Sequence, residues 1–116
     1  MEHLQLLINP LSVVSIIFII VGILTYKFPP KTINSLYGYR TKTSMKNQKA
    51  WDFAQTYSAK KMIVIGFVML ILSINFIVID FTDNQIAIIG LIVIGFSVVY
   101  LFLKTENAIK SAFNNS

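Results

Sequence analysis

The sequence predicts an all-α membrane protein, with three transmembrane helices and an amphipathic cytoplasmic-side helix between the first and second. The chain of 116 residues is 55% hydrophobic and only 13% charged, whereas a soluble domain carries roughly 25% charged residues. It contains three long uncharged apolar runs, and its basic residues are confined to the segments on one side of them. A chain of this length forms one domain at most, so we expect a single membrane domain over residues 1–116.

The three apolar runs predict membrane spans at about 10–27, 62–79 and 86–103. A helix of about 18 residues is about 27 Å long, close to the roughly 30 Å hydrocarbon thickness of a bilayer. The runs are apolar at consecutive positions, unlike the alternating strands of a membrane barrel. An open sheet would leave backbone groups unsatisfied in lipid. Helices are therefore the predicted form of all three spans.

Local signals predict where these helices begin and end. Asn9 followed by Pro10 is typical of an N-cap and a first helical position. The pair Pro29–Pro30 should stop the first helix, because proline lacks a donor and clashes with the preceding turn. Thr82 and Gln85 have the spacing of a capping box at the start of the third helix. The short turn before that helix makes the second and third helices antiparallel neighbours.

The distribution of charge predicts the orientation in the membrane. All ten Lys and Arg residues lie between Lys27 and Lys61 or in the C-terminal tail, whereas the N-terminus and the 80–85 turn hold acids and no Lys or Arg. By the positive-inside rule, the loop and the C-terminus are cytoplasmic and the N-terminus is outside. Topology and attraction to anionic lipid head groups then explain the net charge of +5 without a nucleic-acid partner. Because no basic residue precedes the first apolar run, we expect that run to be retained rather than cleaved as a signal peptide.

The polar loop 28–61 divides into a turn-rich first part and a helical second part. From Ser44, a candidate N-cap, apolar residues recur at helical spacing through Trp51 and Tyr57, with lysines on the flanks. This pattern predicts an interfacial amphipathic helix with its aromatic rings in the interfacial belt. With no helix breaker before the second span, the helix either continues into that span or joins it by a bend.

Seven residues of the loop follow the spacing P-x3-N-x3-G-x-R-T-x5-N-x3-W, namely Pro30, Asn34, Gly38, Arg40, Thr41, Asn47 and Trp51. This string resembles the SdpI family of bacterial membrane proteins, which are named for immunity to a secreted toxic peptide. The resemblance implies a multi-pass protein of the bacterial cell membrane that gives immunity to, or senses, a membrane-active peptide by binding rather than catalysis. It also implies that the seven residues are ligand-binding or motif residues. On this resemblance, we expect the chain to be a short form of the family, with only the three helices around the motif.

Elementary chemistry gives these side chains two alternative roles. The guanidinium of Arg40 can bind a phosphate or carboxylate through paired hydrogen bonds. Asn34, Thr41 and Asn47 would then surround the same group, and Trp51 would stack on the guanidinium or on the ligand. In the alternative, Arg40 holds the loop in place by bonding backbone carbonyls, and Trp51 is a membrane anchor. The residues alone leave both open.

Several other kinds of site are disfavoured. There are no cysteines, and the single histidine, His3, stands too near the start of the chain for a metal site. No acid or base lies within a predicted span, which argues against a proton-coupled transporter. No catalytic set and no phosphate-binding loop can be recognised. We therefore predict no catalytic residues, no metal and no cofactor.

Polar and small residues within the spans are predicted to serve helix packing. Asn75 is expected to hydrogen-bond to a neighbouring helix. Small residues that permit close approach or dimerisation are Ser12, Ser15, Gly22, Gly90 and Gly95. Membrane lipids are thus expected partners, and a peptide toxin, a partner membrane protein and further copies of the chain stay open. Two alternative functions also stay open: an oligomeric transporter or channel for lipids or small molecules, and a structural subunit whose loop docks another protein.

Reporter fusions test the predicted orientation. A reporter fused to the C-terminus should be active as a cytoplasmic protein, because the basic segments flank that end. The same reporter inserted in the 80–85 turn should behave as an external one. Activities on the opposite sides would overturn the orientation.

Overall fold

The computed structural model describes residues 8–113, which form three helices joined by a long loop and a short turn. Helix α1 spans Pro10–Lys27, α2 spans Gln48–Val78 and α3 spans Asp83–Ala112. All three are long and apolar enough to cross a membrane. The predicted class, an all-helical membrane protein with three spans, is confirmed. His3, discounted above as a metal ligand, lies outside the described residues.

The helix ends follow the predicted capping signals. The Asn9 side chain accepts a hydrogen bond from the Ser12 backbone N–H, and the Ser12 hydroxyl accepts one from the Asn9 N–H, both at 3.1 Å. Thr82 and Gln85 form the same reciprocal pair at the start of α3. Helix α1 ends at Lys27, directly before the proline pair. Each pair satisfies backbone donors that a helix leaves unpaired at its first turn.

The amphipathic helix expected between the first and second spans, either continuing into the second span or joining it by a bend, is not a separate element among the described residues. Direct continuation is what the structure has. Helix α2 begins at Gln48, with Asn47 as its N-cap through a 2.8 Å bond from the Ala50 N–H. It then continues unbroken through the membrane span to Val78. Ser44, the predicted cap, lies outside the helix. Once the first turn has formed, each further residue adds a backbone bond, and nothing in the sequence interrupts this before the span.

Three tyrosine–lysine pairs mark the end of the apolar region on the side of the long loop. Each lysine ammonium lies over a tyrosine ring, which is a favourable cation–π geometry. The pairs and their distances to the ring centroid are Lys60–Tyr26 at 5.6 Å, Lys61–Tyr57 at 5.6 Å and Lys104–Tyr100 at 5.8 Å. All three helices contribute, and such rings are typical of a membrane–water boundary. We call these six residues the tyrosine–lysine belt.

Part of the protein projects beyond the belt. The longest dimension is 52 Å, compared with a hydrocarbon thickness of roughly 30 Å. The cap, as we call this part together with the loop that folds against it, comprises the loop 28–47, the first turns of α2 at residues 48–56, and residues 105–113 at the end of α3. Its apolar cluster is formed by Ala50, Ala54 and Ile109 with Tyr39, Phe53 and Phe113 packed against them. A second cluster lies within the spans and is formed by Leu11, Ile65, Met69, Phe76 and Ile86.

Within the membrane, α1 and α2 approach most closely at two glycines. A Cβ on Gly66 would lie 2.6 Å from Cγ1 of Ile19 and 2.9 Å from the carbonyl oxygen of Ser15. A Cβ on Gly22 would lie 3.0 Å from the carbonyl oxygen of Ala59. Backbone atoms cannot move aside as a flexible side chain can, so these glycines set the distance between the two helices.

Some of the packing roles expected for small and polar residues in the spans are found, and others are not. The small residues found buried, as packing requires, are Ser12, Ser15, Gly22 and Gly90. Gly95 instead faces open space, because no atom lies within 4 Å of an added Cβ. The expected interhelical bond of Asn75 is replaced by local ones. Its amide donates to the carbonyls of Ile71 and Leu72 in its own helix, each at 3.3 Å.

A pair of glycine substitutions tests this packing. Gly66→Ala should destabilise the protein by about 1–3 kcal/mol, the usual cost of overpacking, because the new methyl group meets the α1 backbone. Gly95→Ala is the matched control and should leave stability unchanged or slightly raised. The measurement is thermal unfolding in detergent. Equal unfolding temperatures for the two variants would contradict the close approach.

Candidate functional site

The loop 28–47 contains no helix or strand. Its backbone groups therefore cannot all pair within regular secondary structure, and many of its hydrogen bonds come from side chains. Backbone N–H and carbonyl groups need partners when they are taken from water. A loop this long without secondary structure is uncommon and usually functional. The site is therefore best described through the bonds that fix the loop.

The central bond pair joins Gln55 of α2 to the backbone of Tyr39. Gln55 is fully buried. Its carbonyl oxygen accepts from the Tyr39 N–H at 2.7 Å, and its amide nitrogen donates to the Tyr39 carbonyl at 2.8 Å. Gly38, one residue earlier, has a φ of +102°, and a Cβ there would lie 2.5 Å from Oε1 of Gln55 and 2.7 Å from Cγ of Pro30. Both the backbone angle and the space therefore require glycine.

Trp51 fixes the start of the loop. It is fully buried, and its indole N–H donates to the carbonyl of Pro30 at 2.6 Å. Pro30 is buried as well. The interpretation of Trp51 as an interfacial membrane anchor is wrong, because the ring is enclosed by the cap and its donor is engaged within the protein.

Asn34 and Arg40 bond to the backbone of the loop itself. The side-chain oxygen of Asn34 accepts from the N–H groups of Leu36 at 2.9 Å and Tyr37 at 2.8 Å, which is an Asx-type turn. The guanidinium of Arg40 donates to the carbonyl of Ser35, and the side chain is otherwise exposed. This is the second of the two roles considered for Arg40, that of holding the loop through backbone carbonyls.

Glu106 ties the loop to α3. Its carboxylate accepts from the Tyr39 hydroxyl at 2.7 Å and from the Thr41 hydroxyl at 2.8 Å. Ser44 is buried, and its hydroxyl accepts from the Thr41 N–H at 2.8 Å and donates to the Tyr39 carbonyl at 3.0 Å. These bonds make a compact polar network between the loop and the third helix, which we call the Glu106 network.

The network shifts the pKa values of its two titratable members in opposite directions. Burial raises the pKa of Glu106, but the hydrogen bonds from Tyr39 and Thr41, with smaller contributions from Thr43 and Lys110, outweigh it and leave the pKa below its ordinary value. Burial, and then the bond to Glu106 and its charge, raise the pKa of Tyr39 far above the usual range. At neutral pH the pair is therefore a neutral phenol donating to a carboxylate.

A cavity of about 280 Å³ lies beneath the segment Tyr37–Tyr39. All three helices line it, through Val21 and Thr25 of α1, Ser58 and Met62 of α2, and Leu101 of α3. Its wall is mainly apolar, and Thr25 and Ser58 are the polar positions that the helices contribute. Its lining residues are chain neighbours of the tyrosine–lysine belt, so the cavity lies at the membrane boundary. We call it the interface cavity.

The seven predicted residues do not surround one common ligand position. Gly38 alone among them lines the interface cavity. The others support the loop: Pro30 and Trp51 bond to each other, Asn34 and Arg40 bond to loop backbone, Thr41 bonds to Glu106 and Asn47 caps α2. A role of these residues in binding a ligand stays a prediction.

Two important residues were not singled out from the sequence. Gln55 stands four positions after Trp51, and this spacing places both on one face of a helix, so that face could have indicated it. Glu106 is separated from Thr41 by 65 positions and from Tyr39 by 67. No local pattern links residues so far apart.

Comparison with known proteins decides the family. The sequence model of the SdpI/YfhL protein family matches residues 31–103. This chain belongs to the SdpI/YfhL family. A relative in Bacillus subtilis (strain 168), described as "Uncharacterized protein YfhL", is 39% identical over 94 residues, which is 81% of this chain and 80% of that protein. No solved structure matches the chain. The resemblance inferred from the spaced loop residues is confirmed, and the chain is a multi-pass membrane protein of this family.

Stability of the cap should depend on pH through Glu106. Because its pKa is depressed in the folded state, its stabilising contribution is complete above the ordinary value of 4.5 and is lost as the pH falls through the lower folded-state pKa. Glu106→Gln should cost about 1 kcal/mol at neutral pH and flatten the decline of the unfolding temperature in acid. Asp52→Asn, on the exposed face of α2, is the control. An unchanged acid profile in Glu106→Gln would refute the role of the network.

Proposed function

We propose that this member of the SdpI/YfhL family protects its cell against a membrane-active peptide, or senses it, by binding the peptide at the interface cavity. The observation that carries the proposal is the position of the cavity. It lies at the membrane boundary, beneath the loop that contains the seven spaced residues and that falls largely within the part of the chain matched by the family model. Amphipathic peptides bury their apolar face about 5–10 Å below the head groups, which is the depth at which such a cavity can receive a side chain.

The size and lining of the cavity indicate what part of a peptide it would hold. A volume of about 280 Å³ is just below the range of drug-sized ligand sites, roughly 300–1,000 Å³. It suits one or two apolar side chains and not a whole peptide. The hydroxyls of Thr25 and Ser58 would fix orientation through a hydrogen bond, as the few polar groups of ligand sites commonly do.

The charge of the loop favours one end of a peptide. The loop 28–47 carries Lys31, Arg40, Lys42 and Lys46 and no acidic residue. Opposite charges attract one another more strongly at a membrane boundary than in bulk water, because the dielectric is lower. A C-terminal carboxylate or an acidic side chain next to the inserted apolar residue would therefore bind best.

Binding rather than catalysis is supported by how the loop uses its polar groups. The side chains of Asn34, Arg40 and Gln55 bond to backbone groups, and the Glu106 carboxylate accepts from two hydroxyls. In this proposal the motif positions the roof of the cavity. The orientation predicted from the charges belongs to the same proposal and places the cavity at the cytoplasmic leaflet.

A matched pair of substitutions in α1 tests the function. A strain sensitive to a secreted peptide should survive better when it expresses the wild-type protein. Val21→Phe fills the cavity and should abolish this protection, since a loss of about 1.4 kcal/mol lowers affinity tenfold. Ile20→Phe places the same bulk on the neighbouring position, which does not line the cavity, and should retain it. Membrane expression of all three proteins is confirmed by immunoblot. Equal survival with the two variants, or no protection by a well-expressed wild type, would sink the proposal.

A further inference from the structure

Large apolar side chains are exposed on the loop next to the end of α1. Leu36 is 88% exposed and Phe28 is 69% exposed. Ile33 and Tyr37 are also exposed. We call residues 33–37 the loop tip. Contiguous apolar surface of this kind is unfavourable in water and marks a contact with lipid or another molecule.

Hydrogen bonds place the loop tip at the level of the membrane boundary and not at the outer end of the cap. The hydroxyl of Tyr37 donates to the carbonyl of Phe28, which directly follows the last residue of α1. Tyr37 also lines the interface cavity with Val21 and Thr25, which lie within the α1 span. The loop therefore folds back from Pro30 toward the bilayer.

The Asx turn satisfies backbone donors at the loop tip. Because Asn34 accepts from the backbone N–H groups of Leu36 and Tyr37, these donors are satisfied within the loop. A tight turn with its donors satisfied can enter a less polar region at little cost, whereas unpaired N–H groups could not. The Tyr37 ring lines the cavity, while Leu36 is nine-tenths exposed, so Leu36 points away from the protein.

The basic residues on either side of the loop tip favour contact with an anionic lipid surface. Lys27 and Lys31 precede it and Arg40 and Lys42 follow it, with no acid between residues 28 and 47. Basic side chains next to a bilayer bind anionic head groups, and their long apolar stems allow the charges to stay at that level.

We infer that the loop tip, with Leu36 at its centre, inserts into the boundary between head groups and acyl chains of an anionic lipid leaflet. The loop is thus held from both sides, by α2 and α3 within the protein and by lipid at its tip. The interface cavity, which lies behind Tyr37, then faces the bilayer instead of bulk water. This inference does not depend on the proposed function, because it concerns lipid contact alone.

Single-cysteine labelling tests the inference, because the chain contains no cysteines. Leu36→Cys is labelled with bimane and reconstituted in vesicles of phosphatidylcholine alone or mixed with phosphatidylglycerol. Lys49→Cys, on an exposed position of α2 in the cap, is the control. Fluorescence of Trp51, the single tryptophan, confirms that both variants fold.

The label at position 36 should emit at shorter wavelength than the label at position 49 and be quenched several-fold less by aqueous iodide. Lipids with a nitroxide near the head group should quench it strongly, and more so when phosphatidylglycerol is present. Iodide quenching equal to that at position 49 would overturn the insertion. Protection from both iodide and nitroxide lipid would overturn it in favour of a protein contact. Nitroxide quenching that does not rise with phosphatidylglycerol would overturn the preference for anionic lipid.

Discussion

The loop 28–47 must satisfy its backbone hydrogen bonds at the edge of a membrane without forming a helix or a strand. An unpaired donor or acceptor away from water costs more than a typical hydrogen bond contributes. Gln55 meets this need for Tyr39 by offering one acceptor and one donor from a fully buried amide. The amide itself is tolerated in the interior only because the loop pairs with it. Loop and helix therefore depend on each other.

The spaced residues of the loop are explained in large part by the same constraint. Gly38 is required because the Gln55 amide and the Pro30 ring occupy the space of a side chain. Trp51 closes the other end of the loop by donating to the carbonyl of Pro30. Trp51 and Gln55 are one helical turn apart, so α2 must extend beyond the membrane as a rigid helix to present both. This explains why the segment before the second span extends away from the bilayer as a continuation of the span, instead of lying along the membrane surface.

Elements determined by neighbours in the chain could be predicted from the sequence. The spans follow from uninterrupted apolar runs, and the caps at Asn9 and Thr82 follow from residues three positions apart. The stripe through Trp51 and Tyr57 was misinterpreted, because an amphipathic pattern shows that a face is covered and not what covers it. Lipid head groups and a folded loop give the same periodicity. Glu106 could not be found, because its partners become neighbours only after the chain has folded.

The three helices differ in how much of their apolar stretch is buried against the others, and the least buried one, α3, also contacts the loop. Within the most apolar stretch of each helix, 11% of the residues are buried in α3, compared with 28% in α1 and in α2. Helix α3 therefore relies more than the others on contacts in the cap, which are the Glu106 network and the packing of Ile109 on Ala50 and Ala54. Tyr39 connects the loop to two helices, since its backbone bonds to Gln55 of α2 and its hydroxyl donates to Glu106 of α3. Any molecule that entered the interface cavity and displaced Tyr39 would break bonds to two helices at once.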